Sequence, residues 1–167
     1  MTDEEDGLTD LSLTVNGETL RAEVEDRYSL ADVLRDVGGL TGTHLGCEQG
    51  VCGACTVLID GMPVRSCLLL AGQCAGLSVT TVEGRDVDPL VAIVQDTLVE
   101  ESALQCGFCT SGFVMLLAGL LHMNWAGDDR ELTEVMSASI CRCTGYAGLL
   151  RAGRRLLGRQ ASDKGGT

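Results

Sequence analysis

The sequence predicts an α+β protein in two parts, a β-rich N-terminal half crossed by one helix and a smaller helical half behind it. Three observations carry that reading. Apolar residues alternate at period two on either side of an Asn16-Gly17 pair, and the periodicity changes to helical spacing beyond residue 82. Eight of the nine cysteines fall into two groups, one in each half.

In the first half Leu11, Leu13 and Val15 alternate, Asn16-Gly17 supplies the two positive-φ residues of a type I′ turn, and Leu20, Ala22 and Val24 alternate again. This is a hairpin. Ser29, with Asp32 three residues on, has the form of a capping box. Leu30, Val33, Leu34 and Val37 then share one helical face until Gly38-Gly39 stops the helix after about two turns. Residues 40–54 contain Gly42, Gly46, Gly50 and Gly53 but no period, so they read as a loop folded tightly around something. Strands over 56–59 and 64–67 flank Asp60-Gly61-Met62-Pro63, and 78–82 is a further strand.

The second half opens with Asp88-Pro89, an N-cap followed by Pro at the first helical position, and Leu90, Ile93, Val94 and Leu98 recur at helical spacing. Thr110 or Ser111 is expected to cap a second helix whose 112–123 stretch is apolar nearly all round and therefore buried on most sides. A short helix near 130–138 follows. The last helix, over 145–158, turns Leu149, Leu150, Leu156 and Leu157 inward and Arg151, Arg154 and Arg155 outward, so this half reads as a small helical bundle. The division expected is an acidic tail over 1–8, a first domain over 9–82, a helical domain over 83–159 and a flexible tail over 160–167.

Twelve Lys and Arg stand against 24 Asp and Glu, a formal net charge of −12, which excludes an electrostatic nucleic-acid binder and disfavours an anionic membrane surface. Hydrophobic content of 45% with 22% charged residues excludes global disorder. The apolar run Phe113 to Leu121 is far short of the roughly 20 residues that span a bilayer. The N-terminal Met1-Thr2-Asp3-Glu4-Glu5-Asp6 is acidic where a targeting peptide would be basic, so a cytoplasmic protein is expected.

Nine cysteines are an odd count, and a reducing compartment gives metal or redox chemistry precedence over disulfides. Cys47, Cys52, Cys55 and Cys67 have the spacing C-x4-C-x2-C-x11-C, the plant-type [2Fe–2S] pattern of C-x4-C-x2-C and a distant Cys. Gly46, Gly50 and Gly53 let the chain turn sharply around a cluster and aim N–H groups at sulfur, and the fourth ligand arrives from the strand after the turn. Structural zinc is the rival. It usually takes two C-x2–4-C knuckles, whereas here the fourth cysteine stands alone.

The second set, Cys106-x2-Cys109 and Cys141-x-Cys143, is less specific by spacing and leaves cluster and zinc both open. Both pairs lie near expected helix starts, where N–H groups and the dipole favour thiolate charge without naming the metal. Cys74 reads as a small core residue, and His44 and His122 as packing or surface side chains rather than ligands. Glu100-Glu101 and Asp128-Asp129 read as solvated faces and caps. No nucleophile triad, phosphate loop or dinucleotide fingerprint can be assembled.

Three runs carry a family resemblance: Gly46-Cys47-Glu48-Gln49-Gly50-Val51-Cys52-Gly53-Ala54-Cys55-Thr56-Val57, Leu104-Gln105-Cys106-Gly107-Phe108-Cys109-Thr110 and Ile140-Cys141-Arg142-Cys143-Thr144-Gly145-Tyr146. In order and spacing they closely resemble the iron–sulfur subunit of molybdenum hydroxylases, the family of xanthine dehydrogenase, aldehyde oxidoreductase and aerobic carbon monoxide dehydrogenase. The resemblance implies a β-grasp, plant-type ferredoxin-like first domain and a four-helix bundle second domain, each with one [2Fe–2S] cluster.

It also implies electron transfer from molybdopterin in a large subunit, through both clusters, to FAD in a medium subunit, within a dimer of heterotrimers. No substrate chemistry falls to this chain. Gln105 and the ligand Cys143 match positions near the pterin. Ser111 stands where the family commonly has Pro, and Ala138-Ser139 where it often has Gly-Asn; Ser111 is expected to supply a helix cap. Two other classes fit the residues: a stand-alone soluble two-cluster electron carrier and a zinc-stabilised interaction module.

Overall fold

The structure, a computed structural model, describes residues 7–158. The tail expected over 160–167 lies outside the described residues, as does the acidic tail up to residue 6, and Leu8 already belongs to the first strand.

Strands β1 (Leu8–Val15) and β2 (Glu18–Glu25) pair antiparallel about Asn16 and Gly17, whose φ angles of 49° and 82° make the turn that the Asn-Gly pair favours. β3 (Thr56–Ile59) and β4 (Met62–Arg65) form a second hairpin. Its loop is only Asp60 and Gly61, at φ 49° and 81°, so Met62 and Pro63 belong to the strand. β5 (Ser78–Thr80) runs parallel to β1 and antiparallel to β3, completing a mixed sheet in the order β2-β1-β5-β3-β4. It stops short of residue 82 because the Thr81 amide donates to the Asn16 side chain, 2.9 Å, and leaves the ladder.

Helix α1 (Leu30–Asp32) continues as a wider π turn over Val33–Val37, and the Ser29–Asp32 capping box is formed. Leu30 and Leu34 pack with Leu11, Leu13, Val24 and Val57 in a first core. Cys74 is buried in the same core.

Four helices follow: α2 (Pro89–Glu100), α3 (Thr110–His122), α4 (Asp129–Ser137) and α5 (Ala147–Leu156). Asp88 caps α2 with Pro at its first position, and Asp128 caps α4 through a capping box. α3 is buried without interruption from Ser111 to Leu120, as its all-round apolar character requires. Phe113, Leu117, Leu132, Met136 and Leu149 form a second core. Leu58 of β3 joins this second core while its neighbour Val57 joins the first, since alternate strand residues face opposite sides of the sheet. β3 is thus the shared wall between the cores.

Two expectations are corrected. Neither Thr110 nor Ser111 caps α3; Cys109 stands at the cap position with no side-chain bond, and the Ser111 hydroxyl instead donates to Ala54 O, 3.3 Å, across the inter-domain contact. Cys67 is not on a strand. It lies in a 3₁₀ turn over Ser66–Leu68, bent back because the amide and hydroxyl of Ser66 both donate to Cys55 O, at 3.2 and 2.7 Å. The outward arginines of α5 do pair: Arg151 and Arg155 with Glu101, Arg155 with Glu100, and Arg154 with Asp129.

Candidate metal centres

The 46–55 loop wraps the first set of thiols. Glu48, Gly50 and Gly53 take positive φ, and the Cys52 amide donates to Cys47 Sγ at 3.3 Å. N–H groups of Cys52 and Gln49 draw the Cys47 thiol down to about 7, because each stabilises the thiolate. Burial raises Cys52, which shares a hydrogen bond with Cys47, and pushes Cys67 up to about 11, with Cys55 as its partner. Gly46 admits Cys52: a Cβ there would stand 3.1 Å from its sulfur. Gly53 is constrained twice, by φ +80° and by Ser139 Oγ, which a Cβ would meet at 2.5 Å.

The second set is built from the α2–α3 loop and the α4–α5 loop. Cys143 donates to Cys106 across 3.5 Å, and both are exposed. The Phe108 N–H lowers the Cys106 thiol, while the bond to Cys106 raises Cys143. Burial pushes Cys109 up to about 12; Cys141, its partner, is lowered against burial by the hydroxyl and amide of Thr144, which lie 3.1 and 3.4 Å from its sulfur. Helix starts matter less than the sequence suggests. Cys109 adjoins α3, but Cys143 lies four residues ahead of α5, and the N–H group that attends it is that of Cys106 in the other loop rather than a helix start.

Among the described residues no three His, Cys, Asp or Glu side chains gather at one point. The sulfurs come together two by two: Cys47 with Cys52, Cys55 with Cys67, Cys106 with Cys143, Cys109 with Cys141. Cys143 and Cys106 share a proton across 3.5 Å, so a metal that displaces it would find two soft thiolates already side by side. The second set also lines a cavity of about 230 Å³ with Phe108, Ile140 and Cys52. A roomier groove of about 540 Å³ between the β1–β2 turn and residues 83–87 holds no thiol.

Gln105 is exposed beside Cys106. His44, expected as a packing or surface side chain, and the departures Ser111 and Ser139 join the two loops. His44 stacks on Phe108, with centroids 5.0 Å apart, and its Nδ1 lies 2.8 Å from Phe108 O and 3.4 Å from Ser111 Oγ. Ser139 is buried against Gly53. The departures at 111 and 138–139 therefore sit on the domain interface, a placement that only the contacts reveal.

Tyr146 clamps the second loop. At φ 65° it donates its hydroxyl proton to Ser139 O and accepts from the Cys141 amide, both at 2.9 Å. Tyr146→Phe strands both backbone groups, and a loss of about 1–3 kcal/mol is expected, read as a lower Tm and urea midpoint. An unchanged midpoint would show that water replaces the hydroxyl at no cost.

A mixed sheet and a set of four helices thus each carry four of the eight grouped cysteines on their connecting loops and turns. Family models agree: a "2Fe-2S iron-sulfur cluster binding domain" matches residues 13–76 and a "[2Fe-2S] binding domain" matches 81–154. The caffeine dehydrogenase subunit gamma of a Pseudomonas species is 49% identical over 146 residues, covering 85% of this chain and 87% of that protein. The nicotine 6-hydroxylase small subunit of Paenarthrobacter nicotinovorans is 46% identical over 143 residues, covering 86% of each. In the crystal structure of quinoline 2-oxidoreductase from Pseudomonas putida 86, one chain is 48% identical with a TM-score of 0.80, over 89% of this chain and 91% of that one. The chain belongs to the family of iron–sulfur subunits of molybdenum hydroxylases.

Proposed function

We propose that this chain is the electron-transfer subunit of a molybdopterin-dependent oxidoreductase, and that its eight paired cysteines hold two [2Fe–2S] clusters. Cys47, Cys52, Cys55 and Cys67 hold one in a β-grasp domain, and Cys106, Cys109, Cys141 and Cys143 the other in a four-helix bundle. The clusters, when bound, supply one-electron chemistry. The protein supplies ligands, N–H donors, exclusion of water and distance. The observation that carries this reading is the convergence of Cys106, Cys109, Cys141 and Cys143 from two separate loops on one cavity, with the Cys106 and Cys143 sulfurs 3.5 Å apart.

Exposed Phe108 and Ile140, about half accessible at 49% and 51%, surround the exposed sulfurs of Cys106 and Cys143. That apolar rim fits burial under a partner. We assign it, with Gln105 and Cys143, to the large molybdopterin-binding subunit. The first set is assigned to the path toward FAD in a medium subunit, within a dimer of heterotrimers in the cytoplasm. No described helix is long and apolar enough to cross a membrane.

Purification without air tests the proposal. The expected product holds about four irons and four acid-labile sulfides per chain and elutes with larger subunits on gel filtration. A folded, iron-free chain or one holding zinc overturns it; a lone iron-loaded chain would favour the stand-alone carrier.

A further inference from the structure

One side chain straps together the segments that lead into the two thiol sets. Arg65 ends β4, two residues before Cys67. Its Nη1 donates to Thr56 Oγ1, and the Thr56 hydroxyl donates onward to Gly53 O at 2.6 Å, inside the first thiol loop. Its Nη2 donates to Ala138 O at 2.8 Å and reaches Ser139 Oγ at 3.5 Å, in the segment that leads to Cys141. One guanidinium therefore binds both loops through its two ends.

Next to this fork the Ile140 amide donates to Cys52 O at 2.8 Å. Cys52 belongs to the first set and also lines the cavity of the second, while Ile140 precedes Cys141. A single hydrogen bond thus joins the backbone of a thiol-bearing residue in one set to that of the neighbour of a thiol-bearing residue in the other. The surfaces close tightly here: a Cβ on Gly53 would stand 2.5 Å from Ser139 Oγ and 3.0 Å from Arg65 Nη2.

We propose that Arg65 is a positioning residue for electron passage between the two cysteine cages. Its fork holds residues 138–140 against the first loop, so that the Cys52 C=O···H–N Ile140 contact persists. The passage moves one electron, oxidising the cage it leaves and reducing the cage it enters, with no bond broken and no proton moved. A planar fork is required because the two acceptor groups lie on different segments, and a lysine ammonium, a compact point donor, cannot bridge them in the same fixed geometry. The His44–Phe108 stack is a second strap between the domains, so losing Arg65 loosens the junction without unfolding it. This inference rests on the proposed function above.

The test compares wild type, Arg65→Met and Arg65→Lys, each purified in its native complex. Iron content and the two electron-spin signals report the cages. Hydrogen exchange at the Ile140 amide, the magnetic interaction between the reduced cages and the rate of electron equilibration after pulse reduction report the strap.

Arg65→Met is expected to keep its iron and both signals. Its Ile140 amide should exchange about tenfold faster or more, with a weaker magnetic interaction and equilibration slowed by a similar factor. Arg65→Lys should lie between, at about threefold. Both signals present with exchange, interaction and rate unchanged in Arg65→Met overturns the inference alone. If that variant does not accumulate, an Arg65→Lys protein indistinguishable from wild type does the same. A wild type lacking the two signals overturns the proposed function and this inference with it.

Discussion

Gly112→Ala is expected to cost about 3 kcal/mol or more and to strip iron from the first cysteine set before the second. Gly112 lies in the first turn of α3, and a Cβ there would fall inside contact distance of Gly53 O, with Gly53 C at 2.9 Å and Ala54 Cα at 3.1 Å. All three are backbone atoms of the thiol loop, so no side chain can swing aside, and the result is overpacking at its upper range. Either α3 lifts from the sheet, opening the core around Phe113, or the loop moves and spoils the Cys52–Cys55 geometry.

Gly153→Ala in α5 is the internal control. Its Cβ would meet only side-chain carbons of Leu132 and Leu117, at 3.4 to 3.5 Å, so the higher helix propensity of Ala should leave it neutral or more stable by up to about 1 kcal/mol. Chemical denaturation with iron analysis separates the two. Equal stability of Gly112→Ala and wild type would mean that α3 does not press on the loop as described.

The second large effect is loss of one cage without the other. Cys143→Ala should abolish the second spin signal and halve the iron, to about two per chain, with the first signal intact. Cys55→Ala should do the converse. The halves have separate cores, with Val57 in one and Leu58 in the other, so losing a cluster from one half leaves the other half's packing in place. Cys74→Ala should retain all the iron, since its thiol is buried in the first core with only a long contact to Leu70 O, 3.7 Å. Disappearance of both signals in either ligand variant would refute two independent cages.

Much of this was legible locally. The Asn16-Gly17 turn, the Ser29–Asp32 box and the Asp88-Pro89 helix start each depend on a few neighbouring residues, and the structure forms all three. The C-x4-C-x2-C spacing was equally readable, since three cysteines within nine residues are a local object. Readings failed where a distant group competed. Ser111 had the composition of a cap, yet its hydroxyl serves Ala54 O, 57 residues away. Thr81 had the composition of a strand residue, yet the Asn16 side chain takes its amide.

The amino-acid order by itself determined the first hairpin, the Ser29–Asp32 capping box and the four helices of the second half, and it set the spacing of the cysteines. Tertiary structure alone decided which sulfurs pair, as with Cys106 and Cys143 from separate loops, and which residues join the sets, namely Arg65, His44, Ser139 and Gly112. The physical reason is range. Turns, caps and short ligand loops are stabilised within a few residues of themselves, whereas the junction between the cages is made of contacts spanning tens of residues, whose partners no local pattern names.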